Sequence, residues 1–402
     1  MTKSKQPQYR FDSFEGEWEE KKLGEISNIV RGASPRPIQD PKWFDSKSDI
    51  GWLRISDVTE QEGRITYLQQ RISELGQEKT RVLKDPHLLL SIAATVGKPV
   101  INYVKTGVHD GFLVFLDPKF NREFMFQWLD MFRPYWNKYG QPGSQVNLNS
   151  EIVRNQVINL PSLPEQEAIG ELFQTVDQLI QLQRQKLATL KEQKQTFLRK
   201  MFPAQGQKVP EIRLQGFEGE WEEKKLGEIS RMFSGGTPNV GIPEYYNGNI
   251  PFIRSAEINS DQTELSITDK GLSNSSAKLV EKNTLLYALY GATSGEVGLS
   301  RISGAINQAI LAIIPEKKYS SLFIKNWLYK QKSSIIEKYL QGGQGNLSGS
   351  IVKELTIYFP SLSEQEAIGN FFQTLDQQIA QSEEKLTELK ALKQTLLNRL
   401  FV

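Results

Sequence analysis

Two segments of the chain carry apolar residues at steps that alternate near three and four. After Pro164 they fall at Ile169, Leu172, Val176, Leu179, Leu187, Leu190, Phe197 and Met201. After Ser363 they fall at Ile368, Phe371, Leu375, Ile379, Leu386, Leu389, Leu396 and Leu400. This spacing brings one stripe onto one helix face and is the heptad pattern of a coiled coil. Pro164 suits a first helical turn, and Ser363 followed by Glu366 has the form of a capping box. Each predicted helix runs about 38 residues, roughly 57 Å at 1.5 Å per residue. Helices this long, with polar faces rich in Lys and Gln, need a partner, and the nearest partner is the other copy in the same chain. The pattern predicts one antiparallel coiled coil, imperfect at its centre, where Gln183 and Ser382 occupy seam positions.

Elsewhere the pattern is mixed. Short apolar runs bounded by Gly, Pro and Asn (LLLSIAA, FLVFL, TLLYALY and AILAIIP) read as strands. REFMFQWLDMFRPYW and SSLFIKNWLYKQKSSIIEKYL read as aromatic-rich helices with their apolar faces in a core.

The whole pattern occurs twice. FEGEWEEKKLGEIS stands at residues 14–27 and again, unchanged, at 217–230. The match extends upstream, pairing Pro7 with Pro210 and Arg10 with Arg213. PSLPEQEAIGELFQTVDQLI (161–180) returns as PSLSEQEAIGNFFQTLDQQI (360–379). Such self-similarity marks two long structural units. Their middles differ but keep matched positions: Arg54 with Arg254, Asp57 with Glu257, Thr95 with Thr293, Gly97 with Gly295 and Asn147 with Asn346. The expected architecture is α+β: two mixed α/β units in pseudo-twofold arrangement, joined by two long antiparallel coiled-coil helices. The predicted segments are 1–160, a helix at 161–202, a Pro/Gly/Gln-rich connector at 203–216, a second unit at 217–359 and a second helix at 360–402.

Composition narrows the chemistry. The 402 residues include no cysteine, which excludes disulfides and thiolate metal sites and points to a reducing cytoplasm. The basic N-terminal stretch has no apolar core segment, so no signal peptide is expected. Two histidines, His87 and His109, read as ordinary loop residues rather than metal ligands. VGKPV (96–100) lacks the first glycine of a phosphate loop and has Pro99 where Ser or Thr is needed; it and GATSGEVG (291–298) read as tight turns. No paired-carboxylate spacing, cofactor fingerprint or adenine-methyltransferase motif is present. The net charge is +2, and residues 28–150 hold 16 Lys and Arg against 13 Asp and Glu, while 229–350 hold 12 against 9. That mild surplus fits modest phosphate contact. The loops 30–47 and 233–249 occupy the same place in each unit and mix Arg, Asn, Gln, Thr and Tyr with Gly and Pro, the side chains that bond or stack on bases.

FEGEWEEKKLGEIS, SGGTP and the PSLxEQEAIGxxFQTxDQxI helix motif, in twofold arrangement, resemble the specificity subunits of type I restriction–modification systems. The first unit departs from the pattern, with RGASPRP where the family loop reads like SGGTP. The resemblance implies that the two middles are target-recognition domains, each reading one half of a split, asymmetric double-stranded DNA site. It implies that the helices fix the half-site spacing and dock two methyltransferase subunits, which flip and methylate adenine. Restriction/translocase subunits would cleave unmarked DNA. This chain would then catalyse nothing and bind no cofactor or metal itself; S-adenosylmethionine, ATP and Mg would belong to the partner subunits. A membrane partner is not expected. Candidate DNA contacts in the first unit are Arg31, Arg36, Lys42, Trp43, Arg54, Gln145 and Asn147. In the second they are Thr237, Asn239, Tyr245, Tyr246, Asn247, Arg254, Gln344 and Asn346. The docking and coiled-coil candidates are Ile169, Leu172, Val176, Leu179, Leu187, Leu190, Ile368, Phe371, Leu375, Ile379, Leu386 and Leu389. Rival readings are a self-contained nuclease or methyltransferase, a purely structural spacer, and a DNA-binding protein acting alone, for which the charge is low.

Overall fold

A computed structural model describes residues 6–139, 148–339 and 346–401. Its contacts divide the chain into two compact units, Met1–Arg184 with Lys385–Val402, and Gln185–Glu384. Two long helices, α1 (Leu163–Lys200) and α2 (Leu362–Leu400), each contribute to both units.

The first unit is built on a five-stranded sheet in the order Asn28–Arg31, Phe112–Leu116, Leu88–Ser91, Pro99–Asn102, Arg64–Ile65. All neighbours pair antiparallel except the last two, which are parallel. A three-stranded sheet places Thr106–Val108 between Gly51–Trp52 and Arg81–Leu83. The apolar runs read as strands form the buried sheet centres; of VGKPV, Val96–Lys98 lie in the turn after Leu88–Ser91, and Pro99 and Val100 open the strand Pro99–Asn102. Gly97 sits in that turn at φ +75°, a left-handed conformation that only glycine adopts at low cost. In the second unit one four-stranded sheet runs Ser230–Ser234, Ile310–Pro315, Leu285–Ala288, Val297–Leu299. Another runs Leu265–Ile267, Tyr246–Ile253, Gly304–Ile306, Lys278–Val280. Gly295, at φ +77°, makes the turn matching that of Gly97.

The repeated peptide keeps its acidic residues in solvent and turns its apolar ones inward. Its EEKK segments are strands: Glu19–Lys22 pairs with Val157–Leu160, and Glu222–Lys225 with Thr356–Phe359. Trp18 and Trp221 are each only 2% exposed, and the leucine and isoleucine of each LGEI are buried with them. Trp18 packs edge-on against Phe124, and Trp221 against Phe202. The start of each long helix is clasped to this peptide. Arg10 donates from Nε and Nη2 to the two carboxylate oxygens of Glu165, at 2.8 and 2.7 Å. Arg213 grips Glu364 at the same two distances. Gln166 accepts from the Asn121 amide and Gln365 from the Ser320 amide, fixing the approach to the aromatic helices Arg122–Phe132 and Ser321–Tyr339. The EQEAIG motif is thus an intramolecular joint.

The long helices match the expected length, with 38 and 39 residues. Two details differ. α2 begins at Leu362, and Ser361 rather than Ser363 caps it, its hydroxyl accepting from the Glu364 amide. The buried stripe of α1 runs through Ile169, Phe173, Val176 and Ile180, and that of α2 through Ile368, Phe372 and Leu375. Leu172 and Phe371, expected in the seam, are only half-buried at its flank, and Leu179 is 47% exposed. Leu187, Leu190, Ile379, Leu386 and Leu389 keep the heptad steps and are half-buried. Ser382 is buried and Gln183 half-buried on the same stripes.

The helices run antiparallel within each unit. In the first unit Asp177 of α1 meets Lys393 of α2 at 2.7 Å, and Arg64 joins at 3.0 Å. In the second, Asp376 of α2 meets Lys194 of α1 at 2.6 Å, and Lys325 joins at 3.0 Å. Burial opposes ionisation of both aspartates, but the cations outweigh it and hold both below the usual carboxylate range.

Candidate nucleic-acid interface

The loops expected to face DNA leave their sheets through one shared frame. In the first unit Gly32 donates to the Phe112 carbonyl and Ala33 to the Val108 carbonyl, at 2.9 and 3.0 Å. A Cβ on Gly32 would lie 2.2 Å from the His109 carbonyl oxygen, so glycine is required there. Two residues on, Ser34 donates from its hydroxyl to Asp110 Oδ1 at 2.7 Å. In the second unit Gly236 donates to the Ile306 carbonyl at 3.2 Å, and Thr237 donates from its hydroxyl to the Gln308 side-chain oxygen. The turn behind is matched as well. The Phe112 amide donates to the His109 carbonyl and the Ile310 amide to the Asn307 carbonyl, both at 3.2 Å. Position by position, Ser34 corresponds to Thr237, Arg36 to Asn239, His109 to Asn307 and Asp110 to Gln308.

The chemistry held by this frame differs between the units. Arg36, its side chain 80% exposed, donates to Asp110 Oδ2 at 2.9 Å. Arg31 donates from Nε to the Asp110 backbone carbonyl at 2.6 Å. Burial works against the Asp110 charge, yet the Ser34 hydroxyl and the two guanidinium groups hold its carboxyl below the usual range. A cleft of about 590 Å³ opens beside this corner, lined by Arg36, Arg54, Ile38, Trp52, Ile55 and His109 among others. His109 packs against Trp52 and Phe112, and burial pushes its imidazole down, favouring the neutral form. It lies in the loop between Thr106–Val108 and Phe112–Leu116, as expected of a loop histidine, and is packed there against aromatic rings. In the second unit Asn239 accepts from the Gly241 amide at 2.9 Å and stays exposed.

The remaining candidates sort by environment. Arg54 and Arg254 form the same local cap: each pairs its guanidinium with an acid three residues on, Asp57 or Glu257, whose carboxylate also accepts from the arginine's own amide. Both guanidinium groups are held more firmly charged by these side-chain bonds. Lys42 is exposed, 2.8 Å from Asp40 and 4.5 Å from the Trp43 ring centroid. Trp43, expected among the DNA contacts, is turned away from solvent. It is 8% exposed, and its indole N–H donates to the Pro37 carbonyl, so it anchors the loop from inside. Tyr246 is half-buried and donates to the Pro238 carbonyl at 2.6 Å; burial raises its phenol. Tyr245 is half-buried, while Asn247, at φ +59°, and Asn346 are exposed. Gln145, Asn147 and Gln344 lie outside the described residues.

Asp110, Ser34 and Gln308 were missed. Their signal was available: GVHDGF and AINQAI occupy matching places between strands. Among the described residues no cluster of His, Asp and Glu is placed to hold a metal ion, and no helix is long and apolar enough to cross a membrane.

Comparison with known proteins agrees with the twofold design. The model of the type I restriction modification DNA specificity domain matches residues 15–192 and again 218–391. The MjaIX type I restriction enzyme specificity subunit of Methanocaldococcus jannaschii is 27% identical over 46% of this chain and 44% of its own length. The EcoR124I/EcoR124II specificity subunit of Escherichia coli is 28% identical over 43% of this chain and 46% of its own. These matches span less than half the length of each relative. Among solved structures, the type I system S subunit from M. genitalium superposes with a TM-score of 0.65 at 15% identity, over 99% of both chains. A structure concerned with complex assembly and conformational transition of the type I system gives 0.54 at 17% identity, over 96% and 97%. These two are likenesses of fold. With the specificity-domain model matched twice, over most of the sequence, the chain belongs to the type I restriction–modification DNA specificity family.

Proposed function

We propose that this chain is the non-catalytic DNA-recognition subunit of a type I restriction–modification complex. Residues 1–160 and 217–359 act as target-recognition domains, each reading one half of an asymmetric bipartite site. The helices at 161–202 and 360–402 set the spacing and dock two adenine methyltransferase subunits. Those subunits bring S-adenosylmethionine; restriction/translocase subunits bring ATP and Mg. The assembly works on cytoplasmic double-stranded DNA.

The observation that carries this reading is the shared frame with unlike contents. Both units hold a loop over the same strand ends, with a glycine at the same close approach (Gly32 and Gly235) and the same hydroxyl contact. One frame presents arginines and a carboxylate, the other amides. A DNA-reading pair of domains needs a constant scaffold and variable base-facing groups.

The test is a map of modified bases in genomic DNA. Cells expressing this chain with its methyltransferase subunit are compared with cells lacking the chain. A split motif with methyladenine in both halves, present only with the chain, is the expected result. Stable co-purification of the subunits with no motif would overturn the recognition role, and failure to co-purify would overturn the docking role.

A further inference from the structure

The corner where residues 36 and 110 meet, matched by residues 239 and 308, differs in kind between the units, and this difference names bases. We propose that Arg36, held by Asp110, reads a guanine in the half-site of the first unit, and that Asn239 with Gln308 reads an adenine at the corresponding place in the other half-site. The inference rests on the recognition role proposed above and adds base identity to it.

Arginine carries a rigid fork of N–H donors that matches the O6 and N7 acceptors of guanine in the major groove. An exposed arginine loses side-chain freedom on binding unless something already holds it. Asp110 does so: it accepts one Nη2 donor of Arg36 at 2.9 Å, which leaves the rest of that fork to meet a base. Asp110 is itself fixed, with Ser34 donating to Oδ1 and to its side Arg31 bonded to its backbone carbonyl. It is a positioning residue. The second unit keeps the frame and changes the groups. Gln308 is held through its side-chain oxygen by the Thr237 hydroxyl, and Asn239, held through its own side-chain oxygen by the Gly241 amide, stands exposed where Arg36 stands in the first unit; each keeps its NH2 donors and a second lone pair on the oxygen to meet a base. Amide side chains offer one donor and one acceptor side by side, the match to adenine N6 and N7. A carboxylate in place of Gln308, or an arginine in place of Asn239, would not.

The test is the modified-base map repeated with R36A, R36K, D110N, and the double variant N239A/Q308A, each with the same methyltransferase subunit. The expected wild-type motif has a guanine in one half-site. R36A should relax preference at that base alone, by roughly 5- to 150-fold, the value of one bidentate contact. D110N should relax the same base, R36K should restore part of the preference, and N239A/Q308A should relax an adenine in the opposite half-site only. Arg36 is so exposed that R36A carries the test even if D110N is poorly folded. A motif unchanged by R36A, relaxation spread evenly over both half-sites, or a first half-site without guanine would overturn the inference while leaving the recognition role standing. A wild-type chain that directs no motif would overturn both.

Discussion

At the scale of single residues, the repeated letters are repeated contacts. Arg10 and Glu165 lie far apart in sequence, yet they form a two-bond ion pair in which the Glu165 side chain is only 1% exposed. Removing the cation leaves a buried carboxylate without its partner, which costs about 3 kcal/mol. R10A is therefore expected to lower the denaturant midpoint clearly, whereas R10A/E165Q should recover a good part of the loss; equal loss in both would contradict the pairing. Gly170 offers a second test, because propensity and packing point in opposite directions. Alanine favours a helix interior by about 1 kcal/mol. Its Cβ, however, would stand 2.8 Å from Asn121 Oδ1 and 3.1 Å from Glu123 Cβ, where α1 meets the aromatic helix. Overpacking of this kind costs roughly 1–3 kcal/mol, so G170A should destabilise the protein; a gain in melting temperature would refute the close approach.

At the scale of elements, each long helix is fastened by one aspartate both to the other long helix and to the unit packed against it: Asp177 to Lys393 and Arg64, Asp376 to Lys194 and Lys325. Asp177 faces Lys393 across the pair, and Arg64 and Gln127 from the first unit, with Glu123 also on Arg64. Because its folded pKa is depressed, its contribution to stability is fully present above the unfolded carboxylate pKa of about 4. It disappears as pH falls through the folded value. D177N should accordingly be less stable than the parent at pH 7, and the difference should begin to narrow near pH 4 and close only once pH has fallen below the depressed folded value; a series of urea titrations from pH 7 downward measures it, and a gap that does not narrow in acid would show that charge is not the cause. The helix seam shows what pattern reading resolves. Leu172–Phe173, Leu179–Ile180 and Phe371–Phe372 are adjacent apolar pairs, and either member keeps steps of three or four. Neighbouring residues differ by about 100° around the helix axis. Sheets and aromatic helices packed on one side select Phe173, Ile180 and Phe372, and leave Leu179 exposed.

At the scale of the whole molecule, the proposed ruler gives a prediction of its own. Seven residues inserted after Arg184 and seven after Glu384 preserve the heptad register of both helices and add about 10 Å of length. With base pairs spaced 3.4 Å apart, the unspecified stretch between half-sites should grow by about three base pairs. Modified-base mapping reads the result; altered half-site bases at unchanged spacing would refute the ruler.

The sequence by itself determined the twofold plan, the two long helices and their lengths, the strand-forming runs and the places where the copies diverge. Periodicity and self-similarity are local properties, written in which residues follow which. It also placed Arg54 with Asp57 and Arg254 with Glu257 in matched positions, and these became matched caps because their partners are three residues apart. Only the tertiary structure decided that the repeated peptide is a core clasp, that Trp43 faces inward, which member of each apolar pair enters the seam, and that Ser34, Arg36 and Asp110 share one corner. Those outcomes depend on groups separated by tens to more than a hundred residues, and burial and hydrogen bonding choose among them only when the chain brings those groups together.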